Sequence, residues 1–205
     1  MKAVLITLMV LIIEVFAVAL FTQKEWVERQ IHEEYAETVQ VMGQRNAGRI
    51  YKTADEDFQK LVVKSGLFDE SYRMFVPQGE RDMGGQHAIS DGITWFEQRL
   101  NAFWAAMFRG FQRWALFTTW LPYVLLLFLP AAIDGWSQRA IKKETYGYTS
   151  PVRYAAAYYI LVGLIVLPLG YFLLPVQITP LFPPVWAICA SAAIVWLAAN
   201  TQKNI

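Results

Sequence analysis

Glu14 is the first residue of this 205-residue chain whose type and position suggest chemistry. It lies inside an apolar stretch, where an ionisable side chain costs free energy unless it is paired or faces protein. It is therefore a candidate proton site or an intramembrane polar anchor that bonds a neighbouring helix. The sequence offers no second intramembrane carboxylate or histidine as a relay, so the anchor is the preferred interpretation.

The motifs of metal, nucleotide and hydrolase sites are missing from the sequence. Ala36 stands where a zinc helix that starts at His32 needs its second histidine, and His87 has no cysteine or other histidine nearby. There is no P-loop, no G-x-G-x-x-G and no G-x-S-x-G motif. The single Cys189 lies in an apolar stretch, away from any polar site. We therefore expect no catalytic residue, no metal and no cofactor.

Composition places the chain in a membrane. Hydrophobic residues make up 56% and charged residues only 17%, against about 25% charged in soluble domains. Four apolar stretches are long enough to span a bilayer, so the predicted fold is an all-α membrane protein with four transmembrane helices. They cover residues 1–21 as an uncleaved signal anchor, 114–133 with a kink at Pro122, 154–174 and 185–200.

The short connections predict the orientation. The loop at 134–153 is rich in Lys and Arg, whereas the Pro-rich turn at 175–184 carries no charge. Basic loops stay in the cytoplasm, so we expect both termini in the cytoplasm of a bacterial inner membrane. Residues 22–113 then form a helical periplasmic subdomain. The net charge of +1 gives no reason to expect direct nucleic-acid binding.

Helical periodicity divides the 22–113 segment. We predict helices over 23–42, which continues the first span, then 49–64 and 67–76, and a Gly-rich loop over 77–90. A last helix, capped by Asp91, leads directly into the second span. The apolar positions form stripes with no full core, so this subdomain is expected to rely on the membrane helices or on neighbours.

Several polar and aromatic positions of this segment have expected surroundings. Gly43 together with Asn46 to Gly48 is predicted to allow a turn, and Glu34 is placed away from the apolar stripe of its helix. Arg109 and Arg113, with Arg99, are expected to meet phosphate headgroups or a partner's carboxylates. The aromatic residues between 95 and 120 are interpreted as interfacial packing, with docking of another membrane subunit as the alternative.

The stretch from Pro130 to Tyr154 has the densest pattern in the chain. Asp134 and Gly135 are predicted to end the second span, and a basic helical turn follows before Gly147 to Pro151 reverse the chain. This forms a cationic surface at the inner leaflet, able to contact anionic lipid or a partner protein. The residues predicted to make those contacts are Asp134, Arg139, Lys142, Lys143 and Tyr154.

This stretch resembles the integrating conjugative element membrane protein family. The shared features are Pro130-Ala131, Asp134-Gly135, Arg139 with a basic pair after it, Gly147, Ser150 and Tyr154, together with the length and the four-span layout. The resemblance implies a non-enzymatic inner-membrane component of bacterial conjugation. The genes of that family lie in mobile-element transfer clusters, often near the type IV coupling ATPase.

Three functional hypotheses remain at this point. The chain is an interaction subunit that meets a coupling ATPase and other transfer-machinery subunits, or a small membrane enzyme or transporter, or an exclusion or assembly factor that acts through its periplasmic segment. The second hypothesis needs polar residues that face one another across spans, and only Glu14 is available. Membrane lipids and a homo-oligomer complete the expected partners.

Overall fold

The computed structural model describes Met9 and residues 24–75, 87–145, 150–174 and 176–201, without the side chains of residues 87–94 and 173. Within these ranges every regular element is a helix, which confirms the all-α prediction. The predicted first span, with Glu14, lies outside the described residues. The helices are α1 (Lys24–Met42), α2 (Gln44–Phe58, continued by a π-helical turn over Gln59–Val63), α3 (Leu67–Phe75), α4 (His87–Glu144), α5 (Pro151–Leu173) and α6 (Phe182–Ala199).

Two glycines separate the first three helices. Gly43 has φ 79° and Gly66 has φ 82°, a region in which a Cβ is strained. Gly43 makes the break between α1 and α2, as predicted, whereas the turn predicted to extend over Asn46 to Gly48 is wrong because those residues belong to α2. Gly66 ends the second helical segment as predicted, and α3 follows it directly.

Helix α4 is longer at both ends than predicted. Its backbone is already helical at His87, so Asp91 is not its cap. It continues through Pro122, Pro130 and Asp134 to Glu144, so most of the predicted basic loop is helix. Proline does not end a membrane helix when neighbouring groups satisfy the freed backbone.

Proline also marks the start of the last two helices. Pro151 opens α5, and α6 begins at Phe182 with Pro183 and Pro184 in its first turn, where the missing N–H is not needed. The non-helical part of the predicted 175–184 turn is therefore shorter than expected.

Among the described residues, three helices are long and apolar enough to cross a membrane. They are Trp95–Glu144, Pro151–Phe172 and Phe182–Ala199. The predicted second span falls within the first of these helices, and the predicted third and fourth spans overlap the other two and end one or two residues beyond them.

The described residues form two compact units. The first contains α1 to α3, α4 as far as Leu116, and Gly170–Pro180; the second contains Phe117–Leu169 and the residues from Leu181 onward. In the first unit the ring of Phe58 meets those of Trp104, Phe108 and Phe111 edge to face, with centroids 6.4, 5.4 and 5.6 Å apart. Phe58 is buried and the other three side chains are half-buried, so the aromatic residues of α4 pack against α2 of the same chain.

In the first unit α1 runs in the same direction as α4. Lys24 shares a groove with Asn101, whereas Thr38 shares a cavity with Leu116. The N-terminal end of α1 thus lies toward the N-terminal end of α4, away from the apolar stretch that begins at Trp114.

In the second unit α6 packs closely on α4. A Cβ added at Gly135 would lie 2.7 Å from the Cβ of Ala198 and 3.0 Å from the carbonyl oxygen of Val195. The indole N–H of Trp186 donates to the carbonyl oxygen of Leu164 in α5, at 2.6 Å. Gly135 therefore permits this close contact between α4 and α6.

Candidate functional site: a buried glutamate between two arginines

A buried charged cluster lies in the first unit. Glu34 projects from α1, and Arg109 and Arg113 project from consecutive turns of α4, because residues four apart share one face of a helix. Only 6% of Glu34 and 2% of each arginine is exposed. Buried charges of this kind are stable only when they are paired and hydrogen-bonded.

Both arginines bind the same carboxylate. The Nη2 atoms of Arg109 and Arg113 each lie 2.6 Å from Oε1 of Glu34. A longer bond of 3.4 Å joins Nε of Arg113 to the other oxygen, Oε2. Charge-assisted hydrogen bonds at such distances are the strong ones in proteins.

One positive charge remains in excess, and the end of α5 supplies its partners. Nη1 of Arg113 donates to the carbonyl oxygens of Tyr171 at 2.6 Å and Leu174 at 2.8 Å. Nη2 of Arg109 donates to the carbonyl oxygen of Val176 at 2.8 Å, and Arg113 donates to the same oxygen. The last carbonyls of a helix lack intrahelical partners and carry its negative dipole end, so this position suits a cation.

The Pro-rich segment is also tied to α1. The backbone N–H of Ile178 donates to Oε1 of Glu34 at 3.2 Å, and the side chain of Gln177 donates to Glu37 at 2.8 Å. The segment predicted as a simple turn is thus held by both α1 and α4.

The electrostatics of Glu34 follow from two opposing causes. Burial raises the pKa of Glu34, but the hydrogen bonds and positive charges of Arg109 and Arg113 outweigh it, and the pKa lies below its ordinary value of 4.5. Burial, helped by the negative charge of Glu34, raises the pKa of Tyr51 nearby. Glu34 is therefore a fixed anion and Tyr51 a neutral hydroxyl.

This arrangement can hold three segments of chain together, α1, α4 and the end of α5. A carboxylate with a lowered pKa between two guanidinium groups is a poor general base. The expected contacts of Arg109 and Arg113 with headgroups or a partner are wrong, since their partner is Glu34 of the same chain. The position of Glu34 is corrected as well, because it lies on the buried face of α1 with Val27 and Thr38.

A sequence signal for this cluster exists. Val27, Glu34 and Thr38 are spaced by seven and four residues, so a charged residue stands within the buried stripe of a helix. A charge in such a stripe indicates a buried partner elsewhere in the chain.

Lys142, which was predicted to contact a partner or lipid, has partners within the second unit. Its Nζ donates to the carbonyl oxygen of Ala199 at 3.0 Å and to Oδ1 of Asn200 at 3.4 Å. It thus caps the C-terminus of α6. Asp134 is exposed and accepts a hydrogen bond from Gln138 one turn later, at 3.0 Å.

The other predicted contact residues lie on the same part of the chain. Lys143 is exposed, and Arg139 and Tyr154 are half-buried. Their role in binding a partner or lipid stays a prediction, as does the role of Glu14.

Within the described ranges, fold and site together define a helical protein with three helices able to cross a membrane and with a buried charge cluster. Residues 18–203 match the family described as IncC plasmid conjugative DNA transfer protein DtrJ-like. The match covers most of the chain, so the protein belongs to the DtrJ-like family and is involved in conjugative DNA transfer. The relation to conjugation inferred from the 130–154 stretch is confirmed, although the matching family is not the integrating conjugative element family. No curated protein and no solved structure matches the chain.

Proposed function

We propose that the protein is a non-enzymatic inner-membrane scaffold subunit of a type IV secretion system for conjugation, working beside the coupling ATPase. The observation that carries this proposal is the match to a conjugative transfer family in a chain whose described residues include three apolar, membrane-length helices. A protein of that composition contributes to transfer at the membrane, where the machinery assembles.

The absence of an enzymatic role is part of the proposal. It is supported by the contacts of Glu34, a buried carboxylate of the first unit. Both of its oxygens accept hydrogen bonds from arginines, and its side chain is inaccessible. The carboxylate of Glu34 therefore serves to hold helices together.

The proposed topology has four spans, both termini in the cytoplasm and residues 22–113 in the periplasm. The basic residues of the 134–153 segment and the lack of charge in the 175–184 segment support it.

The proposed contact surface for the coupling ATPase is the exposed side of α4 beyond the apolar stretch. Lys143 and Asp134 are exposed there, whereas Lys142 is turned toward α6. A surface with an exposed ammonium group fits an acidic region of a partner or an anionic headgroup. The proposal assigns this surface to the protein partner, with lipids around it.

The test is a pull-down in mild detergent from cells that carry the neighbouring transfer genes, together with a mating assay. With the Lys143→Glu variant, we expect the salt wash to remove a membrane-anchored ATPase or channel subunits that stay bound to the unmodified protein. We also expect this variant to lower the transfer frequency. Lys52→Glu is the matched control, because the side chain of Lys52 is 78% exposed on α2 in the first unit. It should behave as the unmodified protein.

Two results would redirect the proposal. If Lys52→Glu impairs transfer and Lys143→Glu does not, the extramembrane segment acts on its own, as an exclusion or assembly factor would. If the protein is recovered alone as a defined oligomer, a channel or transporter gains support and Glu14→Gln becomes the next variant.

A further inference from the structure

A small polar cavity adjoins the charged cluster in the first unit. The centre of a water molecule can move within about 10 Å³ of this cavity. One water molecule needs about 10–15 Å³ by that measure. Its polar lining comes from Glu34, Thr38, Tyr51, Gln112 and Arg113.

Gln112 has an unmet hydrogen-bonding requirement at this cavity. Only 4% of the residue is exposed, and its side-chain oxygen accepts no hydrogen bond from the part of the chain that the structure describes. A buried acceptor without a donor costs about 1–3 kcal/mol. Native proteins usually satisfy such groups with ordered water.

The other polar groups that line the cavity can make further hydrogen bonds to a molecule bound there. Oε2 of Glu34 receives the long 3.4 Å bond from Arg113, which leaves it room for a second donor. The Tyr51 hydroxyl donates to the carbonyl oxygen of Ile31 only at 3.5 Å. The Thr38 hydroxyl donates at 2.7 Å to the carbonyl oxygen of Glu34 and keeps its lone pairs available.

We propose that this cavity binds one buried water molecule, which donates to the side-chain oxygen of Gln112 and to the carboxylate of Glu34. A hydroxyl of Tyr51 or a lone pair of Thr38 completes its partners, within the two to four that a buried water makes. Two acceptors facing the same space repel an anion. The adjoining guanidinium groups of Arg109 and Arg113 repel a cation, so a neutral donor is the ligand that fits.

X-ray radiolytic footprinting of the full chain in detergent tests this. A millisecond pulse converts bound water into hydroxyl radicals, which oxidise the side chains next to it, and mass spectrometry locates the oxidation. Ile50 and Leu116 line the cavity and are 3% and 7% exposed. The matched controls are Val27 and Val62. They are 1% and 5% exposed and do not line this cavity.

The expected result is oxidation of Ile50 and Leu116 above the level of the two buried valines. In Gln112→Leu, which removes the acceptor and leaves an apolar side chain of similar size, this oxidation should fall to the level of Val27 and Val62. Oxidation of Ile50 and Leu116 no greater than that of the valines in the unmodified protein would show a dry cavity and overturn the proposal, whatever the variant does.

Discussion

Replacing Glu34 by glutamine should destabilise the protein more than any other single loss of charge in the first unit. The substitution keeps the size of the side chain but removes the negative charge between two buried arginines. Arg109 and Arg113 then lie close together, each 2% exposed, with backbone carbonyls as their remaining partners. A buried charge left without its counter-ion is expensive because water cannot reach it.

The magnitude follows from the burial. Breaking a buried ion pair by removing one partner costs about 3–5 kcal/mol. For a chain of this size, 1 kcal/mol lowers the unfolding temperature by about 2–4 °C. Glu34→Gln should therefore unfold about 6–20 °C below the unmodified protein.

Thermal unfolding of the purified protein in detergent, followed by circular dichroism and intrinsic tryptophan fluorescence, measures this shift. Glu33→Gln is the matched control, since it makes the same chemical change at the neighbouring, exposed position of α1. It should leave the unfolding temperature nearly unchanged. Equal unfolding temperatures for Glu34→Gln and Glu33→Gln would refute the assignment of a stabilising buried cluster.

The same cluster sets a pH dependence. The pKa of Glu34 is lowered in the folded state, so its contribution to stability is complete above its ordinary value of 4.5. That contribution is lost as the pH falls through the lower, folded-state pKa. Acid unfolding of the unmodified protein should therefore show a step below pH 4.5 that Glu34→Gln lacks.

Three further substitutions test other parts of the structure by the same thermal assay. Gly135→Ala should lower the free energy of unfolding by about 1–3 kcal/mol, because the added methyl group overpacks against α6. Gly163→Ala is the control and should be neutral or stabilising, because a Cβ there meets no atom within 4 Å. Equal effects of the two substitutions would contradict the close contact at Gly135. Lys142→Met should lose about 0.5–1.5 kcal/mol with its cap of α6, and Lys143→Met should not; a silent Lys142→Met would argue against the cap. Gly43→Ala should cost about 1–3 kcal/mol, since φ 79° with ψ 154° is a region for glycine, and an unchanged unfolding temperature would show that the corner relaxes.

Much of the helical arrangement could be predicted from the sequence. Periodicity located α1 and α3 to within one or two residues, and apolar length located the helices able to cross a membrane. The predicted bounds differ from the structure where tertiary packing decides them. Helix α4 continues through most of the predicted basic loop to Glu144, and Gly135 within it lies in close contact with α6.

The resemblance carried by the 130–154 stretch gave the relation to conjugation, and the family match confirms it. One residue of the contact surface predicted there, Lys142, has its partner within the chain. Lys142 looked like part of a cationic surface because a lone sequence cannot show that the end of α6 offers it a carbonyl oxygen at 3.0 Å.

The sequence by itself determined the all-α class and the apolar helices, because local periodicity and composition encode these properties residue by residue. The connection with conjugative transfer was implied by the family resemblance of the 130–154 stretch. The partners of the charged residues were decided by the tertiary structure alone. Glu34 and Arg109 are 75 residues apart in the chain, and Arg113 reaches carbonyls at the end of α5, 58 residues further on at Tyr171. Local sequence shows that a charge is present, but whether it meets water, lipid or a counter-ion depends on which distant segments fold against it.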